Sequence, residues 1–109
     1  MSVSADLSGL ARIERDRADI LEEAARRAEL EIRRYVPVAE GTLRASAQIA
    51  SMFRAGLITW STPYAAEQYY VPMAHSHPGT CDHWDEAWAR ERLPEWLDYV
   101  GRIYEGRIG

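Results

Sequence analysis

The chain contains no lysine. All 13 of its basic residues are arginine, set against 17 acidic ones, for a formal net charge of -4. A sequence-independent nucleic-acid binder needs surplus cations, because phosphate neutralisation supplies most of its affinity. The acidic balance argues against that class. Arginine without lysine fits a GC-rich coding genome. It also fits contact surfaces, where the planar guanidinium fork is favoured. One cysteine, Cys81, excludes an internal disulfide and fits a reducing compartment. No stretch approaches the roughly 18 consecutive apolar residues of a membrane span. The first twenty residues are charged throughout, so no secretory signal is expected. There is no CxxC, no HExxH, no GxSxG and no glycine-rich phosphate cradle.

What is present suffices for a core. Hydrophobic residues make up 47% of 109 positions, which points to one domain spanning residues 1–109. Within it a long N-terminal helix is expected over about 7–35 and an α+β core over about 36–109. Leu10, Ile13, Ile20, Leu21, Ala24, Ala28, Ile32 and Tyr35 recur at helical spacing. Asp6 or Ser8 is placed to cap that helix, and Glu22 and Arg26 form an i,i+4 pair. The apolar stripe is ragged from Arg15 to Asp19.

Pro37 and Gly41 break the pattern. "LRASAQIASMF" starts with helix formers and turns strand-like near Gln48 to Phe53. "LITWST" reads as a strand, and the two together predict a hairpin turning at Arg54 to Gly56. Thr62 and Pro63 suit the start of a two-turn helix bearing Tyr64, Gln68 and Tyr69 on one face. A loop follows. A last helix starts at Asp82 or Asp85, is kinked or restarted at Pro94, and carries Trp96, Leu97, Val100, Ile103 and Tyr104 at helical spacing. The expected fold class is therefore α+β: a long N-terminal helix, a small antiparallel hairpin sheet, and short helices packed on one face.

The chemistry-bearing cluster is "MAHSHPGTCDHWDEAW". It holds His75, His77, Cys81 and His83, all of them zinc-ligand types. Structural zinc sites commonly take two separated ligand pairs, each held by a knuckle or a helix. Four ligands in one short loop favour a polar loop over a metal centre, so no cofactor is expected. Cys81 and His83, two residues apart, seldom meet as a thiol–imidazole pair. Asp85 and Glu86 suit a helix N-terminus better than acid–base work. No enzyme is expected. The aromatics Trp60, Tyr64, Tyr69, Tyr70, Trp84, Trp88 and Trp96 cluster in the second half. They suit a compact core, with some left over for a protein interface.

Three blocks in order carry a family resemblance. "VPVAEGTLRASAQI" supplies Pro37, Gly41, Thr42, Leu43 and Arg44. "ITWSTPYAAEQYY" supplies Trp60, Thr62, Pro63, Tyr64, Ala65, Gln68 and Tyr70. "HPGTCDHWDEAW" supplies Pro78, Gly79, Thr80, Trp84, Asp85 and Ala87. Over roughly residues 30–90 the chain resembles the minor capsid proteins of long-tailed bacteriophages, relatives of their neck and tail-completion proteins. The resemblance implies a structural virion protein made in the infected bacterium's cytoplasm. It implies a homo-oligomeric ring at the head–tail interface between head-closure or portal-side proteins and tail-terminator or tail-tube proteins. DNA would be passing cargo, and no membrane would be involved. Two alternatives stand beside it: a small zinc-binding protein or metalloenzyme built on the His/Cys loop, and a stand-alone protein-binding module. In the ring, arginine–acid pairs on the N-terminal helix would join neighbours, and deleting residues 1–20 would leave a folded monomer. Tyr64 is expected to pack against the sheet beside Trp60.

Overall fold

The computed structural model describes residues 2–11, 13, 17–36, 42–62, 65–70 and 83–108, and the chain opens on a strand. Strand β1, Ser2–Asp6, pairs antiparallel with β2, Leu57–Ser61, in the register Ser2↔Ser61 through Asp6↔Leu57. Val3 and Ala5 alternate inward and are buried, while Ser4 and Asp6 are exposed. That is the period-2 pattern of a half-buried strand. Asp6 then caps the short helix α1, Leu7–Ala11: its Oδ1 accepts the Ser8 N–H at 3.0 Å and the Ser8 hydroxyl at 2.6 Å.

The fold class is α+β, but its parts differ from expectation. The long N-terminal helix is absent. The Ile13 N–H donates to Ser8 O at 3.2 Å, an i→i+5 bond that closes α1. Helix α2, Ala18–Ile32, begins only after Arg17, and a 3-10 turn, Arg33–Tyr35, ends it. The ragged stripe before Asp19 has too few apolar residues to hold a helix on the core. Beyond Asp19 the stripe is complete, and Ile20, Leu21, Ala24, Ala25, Ala28 and Ile32 are all buried. The longest helix is instead C-terminal: α5, Trp84–Ile108, 25 residues continuous through Pro94. Pro94 is exposed, so water can satisfy the carbonyl its missing N–H leaves free.

The expected hairpin is also absent. Thr42–Ala50 is a helix, α3, followed by a 3-10 turn at Phe53–Ala55. Its Leu, Arg, Ala and Gln residues are good helix formers, and that local preference holds through Ala50. A single bridge, Met52↔Leu57, is all that remains of the hairpin. Helix α3 instead closes the outer edge of β2. The Thr59 N–H donates to Ser51 Oγ at 2.9 Å and the Ser61 N–H to Ser46 Oγ at 3.0 Å. Gly56 turns the chain at φ 74, and its carbonyl accepts the Leu7 N–H at 2.7 Å. The last short helix, α4, is Ala65–Tyr70.

One apolar cluster draws on β1, β2 and all five helices. All four tryptophans are fully buried in it, so the compact-core reading holds for them. Helices α2 and α5 run antiparallel along its length. The Trp88 Nε1–H donates to Glu31 Oε1 and the Trp96 Nε1–H to Ala24 O, each at 2.9 Å. Arg27 and Arg17 lie over the rings of Tyr99 and Tyr104, 5.2 and 5.9 Å from their centroids.

Candidate interaction surface

The motif residues that are described form a frame. Leu43 is buried on α3. Beside it the Arg44 Nε–H donates to Val36 O at 2.8 Å and an Nη2–H to Arg34 O at 3.5 Å. The guanidinium thus holds the carbonyls that the end of the 3-10 turn leaves unpaired. Burial, and then the nearby Arg33 charge, push the Arg44 pKa down. Trp60, central in β2, meets Trp84 edge-on, with ring centroids 5.6 Å apart. Ala65 and Ala87 are buried, and Gln68 lies on α4. Pro37, Gly41, Pro63, Tyr64, Pro78, Gly79 and Thr80 lie outside the described residues, so the expected Tyr64–Trp60 packing does too.

His75, His77 and Cys81 also lie outside the described residues. His83 is placed, at φ 45, at the head of α5. Its N–H donates to Tyr69 O at 3.0 Å, its carbonyl accepts the Ala87 N–H at 3.0 Å, and its ring lies 4.6 Å from that of Tyr69. The Tyr69 hydroxyl donates to Asp85. Burial first, and then that carboxylate, push the Tyr69 pKa far above the ordinary tyrosine value. The tie between α4 and α5 is therefore a hydroxyl, a carboxylate and stacked rings. Among the described residues no three His, Cys, Asp or Glu side chains converge as metal ligands.

The arginine–acid pairs expected between subunits are largely made within the chain. Glu22 accepts from Arg26 at 3.2 Å and from Arg54 at 3.3 Å, and Glu31 from Arg27 at 2.8 Å. Glu29, 3% exposed, takes both Nε and Nη2 of Arg33, at 2.9 and 2.6 Å. Those charges stabilise α2 and its packing. Arg12, Glu14, Arg15 and Asp16 lie outside the described residues.

What the molecule does present is an apolar strip on α3. Ala45, Ile49 and Met52 share its outer face, and Ile49 is 88% and Met52 62% exposed. Beside the strip a groove opens between α2 and the 3-10 turn. Glu22, Arg26, Gln48, Ser51, Met52, Phe53 and Arg54 line it, and Arg26 lies over the Phe53 ring at 4.5 Å. An exposed apolar strip rimmed by charge is the composition of a protein-contact surface. The expected hairpin hid it, because Ile49 and Met52 were placed in a strand. The 45, 49, 52 spacing, read as one helix face, would have found it.

A family model described as minor capsid protein matches residues 1–103. No curated protein matches the chain, and no solved structure does.

Proposed function

The chain belongs to the minor capsid protein family, and from that premise we propose that it acts at the head–tail junction as one domain over residues 1–109. As a family member it is a structural component of the phage virion and associates with other virion proteins. Within that role, several copies form a ring connecting the portal or head-closure side to the tail-terminator or tail-tube side. DNA passes as cargo, and the net charge of -4 suits a conduit wall that does not hold it. No helix among the described residues is long and apolar enough to cross a membrane.

The observation that carries the reading is the α3 strip. Ile49 and Met52 expose apolar area that a structural protein would cover on assembly. The α2 charges are engaged within the chain, so the ring contact belongs on α3 and not on the N-terminal region. The test is a double variant, Ile49→Asp with Met52→Asp, expressed during infection. Both side chains are exposed, so stability should change by no more than about 0.5 kcal/mol each. The variant should be missing from purified particles, and cryo-electron microscopy of wild-type particles should place the protein between head and tail. Normal incorporation of the folded variant, or wild-type density in the shell and not at the junction, would overturn the reading.

A further inference from the structure

The two edges of the small sheet are treated differently. In an antiparallel pair the N–H and C=O of one residue point to the same side, and the side alternates along the strand. The Thr59 N–H donates to Ser51 Oγ at 2.9 Å, and the Thr59 carbonyl accepts the Ser51 hydroxyl at 3.5 Å. Leu57 and Met52 exchange backbone bonds at 2.9 and 3.1 Å. The 57, 59 and 61 positions therefore face α3, while Ile58 and Trp60 bond to Ala5 and Val3 of β1. That edge is closed.

The same alternation turns Ser4, opposite Thr59, away from β2. Its side chain reaches back only to the Thr59 hydroxyl, 2.9 Å away on the solvent face. Ser4 is exposed, and among the described residues its backbone groups have no partner. Helix α4 does not cover them. Its Tyr69 meets Trp84, which meets Trp60, the residue opposite Val3, so α4 lies under the core face. Nor is the edge defended. Ser2 to Ala5 contains no lysine, proline or bulge, the usual guards of a free edge. A sheet of two strands is also below the three or more that commonly stand alone.

We propose that a second copy of this chain pairs here, β1 against β1 and antiparallel about Ser4, to make a four-stranded sheet. The segment "SVSAD" is self-complementary in that register. Ser4 falls opposite Ser4, Val3 opposite Ala5, and Ser2 opposite Asp6. Core-facing positions meet core-facing positions, and solvent-facing positions meet solvent-facing ones. The like charges stay apart: the two Asp6 positions lie four residues from one another along the ladder, roughly 14 Å, beyond the screening length of about 8 Å at physiological salt. The contact is isologous and does not rest on the head–tail reading.

The test uses the full chain. Sedimentation across a concentration series should show a monomer–dimer equilibrium. Ser4→Pro should weaken it by roughly tenfold or more, as loss of about two backbone bonds implies. It should leave the fold intact, because that N–H is not used in pairing with β2. In a Cys81→Ser background, Ser4→Cys should form an inter-chain disulfide, since directly opposed Cα atoms lie about 5.5 Å apart. Ser2→Cys should not. If Ser4→Pro fails to fold, the cysteine pair decides alone. A wild-type chain that stays monomeric, an undiminished dimer in folded Ser4→Pro, or cross-linking at Ser2 in place of Ser4 would each overturn the proposal. The first of these outcomes would leave the edge to an extended segment of a different protein.

Discussion

Trp96 and Ala24, 72 residues apart, are joined by a fully buried hydrogen bond. The indole Nε1–H donates to the carbonyl of Ala24 in the middle of α2, at 2.9 Å. A mid-helix carbonyl has a second lone pair free beyond its helical bond, and Trp96 uses it to fix how far α5 has slid along α2. Trp96→Phe removes the donor and part of the ring. It should lower unfolding stability by about 1–3 kcal/mol, and Trp96→Ala by about 3–5 kcal/mol. Urea unfolding monitored by circular dichroism reads both. Equal losses for the two variants would mean that the bond, and not the packing, carries the contact.

Gly56 should tolerate no side chain. Its φ of 74 is left-handed, and an added Cβ would lie 3.0 Å from Leu21 Cδ2 and 3.2 Å from the Ser8 nitrogen. The backbone strain alone costs roughly 1 kcal/mol for a non-glycine residue, and the contact with backbone at Ser8 adds to it. Gly56→Ala should therefore lower the thermal midpoint clearly. Gly106, whose added Cβ meets nothing within 4 Å, should gain helix stability on Gly106→Ala. A midpoint for Gly56→Ala that matches wild type would remove the turn from the structural frame.

Alkaline pH should unfold the protein through Tyr69. Its folded pKa is raised by burial and by the bond to Asp85, so the folded state holds a proton that the unfolded chain gives up near pH 10. The stability this contributes is complete below about pH 10 and is lost as pH rises toward the folded value. Tyr69→Phe should flatten that part of the decline while costing about 1.5–3 kcal/mol at neutral pH for the lost bond to a carboxylate. Unfolding curves at neutral and alkaline pH check it. A Tyr69→Phe decline as steep as that of wild type would contradict it.

Removing residues 1–20 should abolish folding. The expectation of a folded monomer assumed an overhanging helix. The segment instead supplies β1, half of the sheet, together with Val3, Leu7, Ile13 and Ile20 to the core. Fully burying each of those larger side chains contributes about 1.5–3 kcal/mol, which together rivals the whole stability of a small domain. The truncated chain should show no cooperative melt. A sharp transition near that of wild type would return the segment to a peripheral role.

Glu29 and Arg33 test the end of α2. Glu29 is almost wholly buried under its paired bonds from Arg33. Arg33→Ala leaves that carboxylate without its main partner and should cost about 3 kcal/mol or more. Arg26→Ala, whose pair with Glu22 is exposed, should cost less than about 1 kcal/mol. Chemical denaturation of the two variants side by side compares them. A larger loss for Arg26→Ala would reverse the ranking.

What the sequence determined by itself is what local spacing can carry. The stripe from Ile20 to Ile32 made α2, the alternation around Ile58 and Trp60 made β2, and Asp6 capped the first helix. The blocks around Leu43–Arg44, Trp60 and Trp84 carried the family resemblance, and those residues are the buried or hydrogen-bonded frame. Helices close their bonds within four residues, so such signals are complete in a short window. A strand leaves its bonds open until a partner arrives. Only the tertiary structure could decide that β2 takes β1, 55 residues before it at Ser4 and Thr59, and not the adjacent Gln48 to Phe53. With that pairing made, α3 is free to be a helix, its serines close the far edge of β2, and Ile49 and Met52 are turned outward. Which residues of this chain are left for other proteins to meet follows from that long-range choice, because exposure is what remains after every closer contact has been made.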